Sequence, residues 1–372
     1  MLLKKRPDNI EHKNELAVLD GLRGLAALYV LMHHARWQLS QPYLEYLKNK
    51  TQYSIIDKGL IYLTSGFRFG HEAVILFFII SGFVIHLKQA RSSPKAAFTN
   101  FKTLNYLFKR ILRIYPTLLL SFFVTWFLDV LLSNINHQPI PASDAYTFRT
   151  FFENLFLIPS GHIWGSNGPM WSLRHEWFFY LMYPLLLLLD TVKPALSIIV
   201  CLILFLSYTY NITIPLIDQA AYTLLIWWTG ALLANAYANR QNNSLLRLCM
   251  LLTLPGFIVS VLIPYGPFHD LACGFLFVGM IAIILNNKLP PVNSLVNRFS
   301  FLGYFSYSIY ILHFPMVLFL KGIIIRYNHQ LPYHLWYVLG AGFIILPVIF
   351  ILYLLVEKPF LRIKANLSTA SG

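Results

Sequence analysis

The stretch LAVLDGLRGLAALYVLMHHAR, residues 16–36, decides how the chain is read. A bilayer core of roughly 30 Å needs about 20 mostly apolar residues in one helix. This stretch has that length. It also carries Asp20 and Arg23 near its start and His33 and His34 near its end. Ionisable groups at membrane depth are costly and are usually kept for function. One segment therefore raises both the fold and the chemistry.

Nine further apolar stretches follow, at 71–88, 114–133, 172–190, 195–210, 220–238, 247–264, 268–286, 300–320 and 336–356. The pattern predicts an all-α, polytopic transmembrane helical bundle of about ten spans. It divides into an N-terminal tail (1–15), a membrane domain (16–360) and a short C-terminal tail (361–372). Composition agrees. The 372 residues are 57% hydrophobic and 12% charged, with a mean hydropathy of +0.59. A soluble domain is roughly 45–50% apolar and about 25% charged. A disulfide scaffold, a disordered chain and an ordinary soluble enzyme are excluded. The cysteines, Cys201, Cys249 and Cys273, sit in apolar stretches without a CxxC pair, so neither disulfides nor a metal are expected. The polar first fifteen residues contain no signal-peptide core.

An even number of spans puts both termini on one side. Nineteen of the 29 Lys and Arg then fall on that side and nine on the other, with Arg23 inside the first span. Cytoplasmic loops collect basic residues, so both termini are expected in the cytoplasm. The net charge of +14 is then mostly topology, and nucleic acid is not an expected partner. Two connections on the opposite side are long, 37–70 and 134–171. The second holds FFENLFLI (151–158), too short to span and read as an interfacial or re-entrant piece.

Within the first span, Arg23 and His34 are eleven residues apart. Eleven residues turn a helix to within about 20° of three full turns and rise roughly 16 Å, so both share one face. His33 is rotated away. A cation and an imidazole at opposite ends of one face suit a passage through the membrane; a snorkelling arginine and an interfacial histidine are the plainer alternative. Glu176, in WSLRHEWFF, is expected at the depth of His34, where a carboxylate could steady the imidazolium formed on proton abstraction. An interfacial ion pair with its neighbours Arg174 and His175 is the competing account. Trp171 opens an aromatic run that fits either a membrane belt or sugar stacking. His71 and Glu72 open the second span as an interfacial pair. Arg110 and Arg113 lie one turn apart and could grip a phosphate, although a positive-inside flank explains them as well. For His313, packing and a second polar site fit equally. Glu357 reads as structural.

The order of these segments resembles the acyltransferase 3 family of multi-spanning membrane acyltransferases, which includes bacterial O-antigen acetylases. The resemblance covers about residues 17–363. It rests on LDGLRG (19–24) with its Arg–x10–His pair, FFIISGFVI (77–85), KRILRIYP (109–116), WSLRHEWFFYLMYP (171–184), FLGYFSYSIYILHFP (301–315) and VEKPFLR (356–362). It implies an O-acyltransferase of the bacterial inner membrane that takes acyl groups, most often acetyl, from cytoplasmic acyl-CoA. The acceptor would be an envelope carbohydrate or lipid-linked sugar, within surrounding membrane lipids. By motif, His34 and Glu176 become the candidate catalytic groups, and Arg23, Arg110 and Arg113 the acyl-CoA contacts. His71, Glu72, Trp171, Ser172 and His313 become candidate acceptor contacts. Where many members carry an acidic residue, this chain has Ile75, with Glu72 about one turn away. Many members also carry an esterase-like domain after the last spans, and none is expected here. A transporter of a lipid-linked glycan is the alternative, since intramembrane charges suit transport too.

Overall fold

The computed structural model describes residues 7–363, except 141–142, 160, 194, 213, 240–243 and 287. Among the described residues there is helix and no strand. In chain order the helices are α1 (Pro7–Leu39), α2 (Tyr43–Lys48), α3 (Ile55–Ser65), α4 (Gly70–His86), α5 (Pro94–Thr99), α6 (Thr103–Asn136), α7 (Phe148–Leu155), α8 (Met170–Val192) and α9 (Leu196–Thr209). There follow α10 (Asp218–Ala238), α11 (Ser244–Leu251), α12 (Thr253–Leu262), α13 (Pro267–Leu285), α14 (Pro290–Arg298), α15 (Ser300–Tyr304), α16 (Ser306–Asn328) and α17 (Trp336–Leu352). A π-turn at Tyr353–Glu357 extends α17, and helix continues to Ile363.

Among the described residues, six segments are long and apolar enough to cross a bilayer: Ile55–His86, Thr103–Asn136, Ser244–Leu262, Pro267–Leu285, Ser306–Asn328 and Trp336–Ile363. The chain is thus an all-helical membrane protein. Of the other stretches read as spans, α1, α8 and α10 have the length but interrupt their apolar runs with polar residues, and α9 is only 14 residues long. Helices also overrun the apolar stretches. α6 begins at Thr103, eleven residues before the apolar stretch at 114–133, and carries Arg110 and Arg113 one turn apart. Leu, Lys and Arg are good helix formers, and hydropathy alone cannot mark where such a helix starts. The run at 151–158 folds as the short helix α7, whose Thr147 Oγ1 accepts the Thr150 N–H at 3.1 Å. Residues 1–6 and 364–372, which hold parts of both expected tails, lie outside the described residues.

The chain forms two compact units. The first comprises the described residues as far as Ala26, Glu72–Thr103 and His175–Ser306. Within it, α10 packs on α9 and α13, and α12 packs on α13. The backbones of α4 and α10 touch: a Cβ on Gly82 would meet the Trp227 carbonyl, and one on Gly230 the Ile79 carbonyl. Small residues allow such close approach where dispersion and backbone contact drive helix association. Gly21 faces the Val296 carbonyl in the same way, and Gly24 faces Leu302 and Gly303. Phe83, Phe179, Tyr183, Trp227 and Trp228 fill the surrounding core.

The second unit comprises Ala27–His71, Leu104–Arg174 and the described residues from Tyr307 onward. Leu31, Ala35, Leu118, Ile309, Leu312, Val317, Val338 and Ile349 form its interior. Its two long connections are folded. Tyr46, Tyr53, Ile61 and Leu335 make a small core of their own. Asp57 is buried, and its Oδ2 accepts from Ser54 Oγ at 2.6 Å and His334 Nδ1 at 2.9 Å. The 134–171 connection is tied to the first turn of α8 by Arg174. That buried guanidinium donates to the carbonyls of Gly161 and His162 and, at 2.7 Å, to Asn154 Oδ1.

Candidate active site

Adjacent residues on a helix point about 100° apart, and the two histidines of α1 have different partners. His33 Nδ1 donates to the Phe67 carbonyl at 2.7 Å. His34 Nδ1 shares a 2.9 Å hydrogen bond with His313 Nε2 on α16. The two rings lie 5.0 Å apart and 32° from parallel, and Phe314 packs edge-on to His34 at 4.9 Å. His313 is fully buried, while His34 is only half-buried. His313 Nδ1 lies 3.0 Å from the Ile309 carbonyl and 2.8 Å from that of Tyr310. The second unit therefore brings together two of the histidines singled out in the sequence, 279 residues apart.

The same unit holds other sequence-identified positions. His71 and Trp171 stack with centroids 5.8 Å apart. Ser172 Oγ and Tyr310 Oη share a 2.6 Å hydrogen bond. On α6, the Arg110 guanidinium lies 5.2 Å from the Tyr106 ring centroid. Arg113 pairs with Glu357, and its Nη2 makes no hydrogen bond among the described residues. A phosphate oxygen would satisfy such a donor.

Glu176, Glu72 and Arg23 belong to the first unit. Glu176 Oε1 accepts from Ser81 Oγ at 2.8 Å and Tyr180 Oη at 2.5 Å. Glu72 accepts from Tyr265 Oη at 2.8 Å, with His269 Nε2 at 3.9 Å. Arg23 lies 3.6 Å from Asp20, one turn back.

Two elements around His313 and Arg113 escape a reading of the sequence. Asn167, fully buried, donates from Nδ2 to the Ile311 carbonyl at 3.0 Å. Glu357, expected to be structural only, carries the charge opposite Arg113. The signal for the first was Pro315, which deprives the Ile311 carbonyl of its helical N–H. The partner of that carbonyl is far away in sequence and could not be named.

With this geometry in view, the relatives are informative. The family described as an acyltransferase domain, acyltransferase 3, matches residues 16–354. The chain belongs to that family. Acyltransferase MdmB of Streptomyces mycarofaciens is 28% identical over 175 residues, 46% of this chain and 38% of the relative. The match thus spans about two fifths of that relative's length. No solved structure matches the chain.

Proposed function

We propose that the protein is a ten-span enzyme of the bacterial inner membrane, with both termini in the cytoplasm, and that it O-acylates an envelope carbohydrate or lipid-linked sugar from acyl-CoA. Acetyl is the favoured group. Arg110 and Arg113 bind the CoA phosphates, and Arg23 steers the thioester end. His71, Glu72, Trp171 and Ser172 contribute to the acceptor side. The observation that carries this account is the ring of His34, the histidine of the family motif. It is half-buried, its Nδ1 shares a hydrogen bond with another imidazole, and the ring also bonds the Val30 carbonyl one turn back.

In the transfer, His34 takes the acceptor hydroxyl proton as the oxygen attacks the thioester carbonyl. A carbon–oxygen bond forms, the carbon–sulfur bond breaks, and the CoA thiolate leaves. The thiolate recovers the proton, so CoA departs as a free thiol and His34 returns to its neutral form. By the family motif Glu176 is the other candidate catalytic group, and it accepts hydroxyl hydrogen bonds from Ser81 and Tyr180.

The test is purified protein in liposomes with radiolabelled acetyl-CoA and extracted polyprenyl-linked envelope glycan. The account expects free CoA thiol in step with label on the glycan. Glycan movement without thiol release would instead identify a transporter and overturn it.

A further inference from the structure

His313 is fully buried, yet both of its ring nitrogens are engaged by groups whose chemistry is unambiguous on one side. Backbone carbonyls only accept hydrogen bonds. Nδ1 of His313 lies within 3.0 Å of two of them, Ile309 and Tyr310, so that nitrogen carries the proton. In a neutral imidazole the other nitrogen is then a bare acceptor. Nε2 of His313 faces Nδ1 of His34 at 2.9 Å. The hydrogen between them therefore belongs to His34 Nδ1. This leaves the lone pair of the His34 ring on Nε2.

From this chain of donors and acceptors, we infer that His313 is a positioning residue for the acyl transfer: it fixes His34 in the tautomer whose Nε2 is the base. The inference rests on the assignment of His34 as the general base. His313 thus fills the place that a carboxylate holds beside the histidine of a hydrolase triad, where the partner sets tautomer and ring orientation. When His34 Nε2 takes the acceptor proton, the imidazolium keeps its Nδ1–H on His313. No atom is added or lost, since the proton leaves with the CoA thiol.

A second group completes the support. Pro315 has no N–H, so the Ile311 carbonyl lacks its i+4 donor two residues before His313. Asn167 Nδ2 supplies that donor at 3.0 Å. A carbonyl without a donor in a membrane interior is costly, since no water is there to satisfy it. Asn167 thus steadies the helical turn that presents His313.

Two measurements test the inference. In bilayers, 15N-histidine-labelled protein should show His34 protonated at Nδ1 and bare at Nε2, with His313 protonated at Nδ1; His34→Gln and His313→Gln assign the signals. The opposite His34 tautomer overturns the inference without needing any variant to be active. In the CoA-thiol release assay with acetyl-CoA and glycan extract, His313→Leu should lower kcat about 10²-fold or more. KM for acetyl-CoA should stay within about twofold of wild type. His313→Gln offers an amide oxygen to His34 Nδ1 and should recover activity to within about tenfold. A His313→Leu enzyme with wild-type kcat contradicts the inference, as does a His313→Gln enzyme no better than His313→Leu. His34→Ala separates the two levels. If it stays active, the base assignment itself fails; if it is inactive while His313→Leu is not, only the role of His313 fails.

Discussion

Arg113 Nη1 lies 3.5 Å from Glu357 Oε1, and Ser308 Oγ donates to the other carboxylate oxygen at 2.5 Å. Glu357 closes the π-turn at Tyr353–Glu357 and is 2% exposed. A buried carboxylate is tolerated only when it is paired and hydrogen-bonded. Arg113 is therefore partly committed to holding α6 against the π-turn that extends α17, whereas Arg110 lies over the Tyr106 ring.

That difference separates the two arginines by experiment. Arg113→Ala leaves Glu357 buried beside a lost cation and should cost about 1–3 kcal/mol of stability. It should also raise KM for acyl-CoA. Arg110→Ala should also raise KM, and it leaves the Arg113–Glu357 pair in place. Midpoints of the detergent-solubilised variants, measured beside KM, check this. Equal midpoints for the two variants would contradict it.

Glu176 gives a second prediction. Glu176→Gln keeps an oxygen for Ser81 and Tyr180 but loses the negative charge. kcat should fall about 10- to 100-fold at an unchanged thermal midpoint. Ser81→Ala removes one of two donors and should have a much smaller effect. Steady-state kinetics of the pair distinguishes a charge requirement from a packing one.

The contact between α4 and α10 leaves no room for a side chain. Gly82→Val or Gly230→Val would force the β-carbon into a backbone carbonyl of the other helix. Each should cost about 1–3 kcal/mol or more through overpacking. Gly59, with open space around its Cβ position, should accept Ala with little change. Thermal unfolding of the three variants tests the contrast.

A pH response is expected in the 148–162 segment, outside the apolar spans. Burial would raise the Glu153 pKa, but the His162 N–H, Arg149 and the His162 ring outweigh it and hold Glu153 down to about 2. Its ordinary value is 4.5. A depressed carboxylate stabilises the fold above its unfolded pKa, and the gain is lost as pH falls toward the folded one. Hydrogen exchange of residues 148–162 should therefore accelerate as pH drops from about 4.5 to about 2, after correction for intrinsic rates. Glu153→Gln should remove that dependence. An identical profile in the variant would contradict the assignment.

Much of this fold was legible in the chain, because long apolar runs can only be buried as helices in lipid. The family, too, was carried by ordered motifs, from LDGLRG to VEKPFLR. Helix ends were not legible: the polar first turns of α6 are good helix formers and left no mark in hydropathy. The His34 partner was not legible either. The sequence picked out His313 but left packing and a polar site equally open, since helical spacing says nothing about a residue 279 positions away. Asn167 left the weakest trace, as its role depends on a carbonyl orphaned by a proline in another helix.

The central claim is that His34 is the general base of an acyl-CoA-dependent transfer. Its most direct test is CoA-thiol release from acetyl-CoA by the purified His34→Ala protein in liposomes with glycan extract, beside wild type at matched folded amount. The account predicts a loss of about 10²–10⁴-fold in kcat with the thermal midpoint retained. Wild-type thiol release by a folded His34→Ala protein would contradict it.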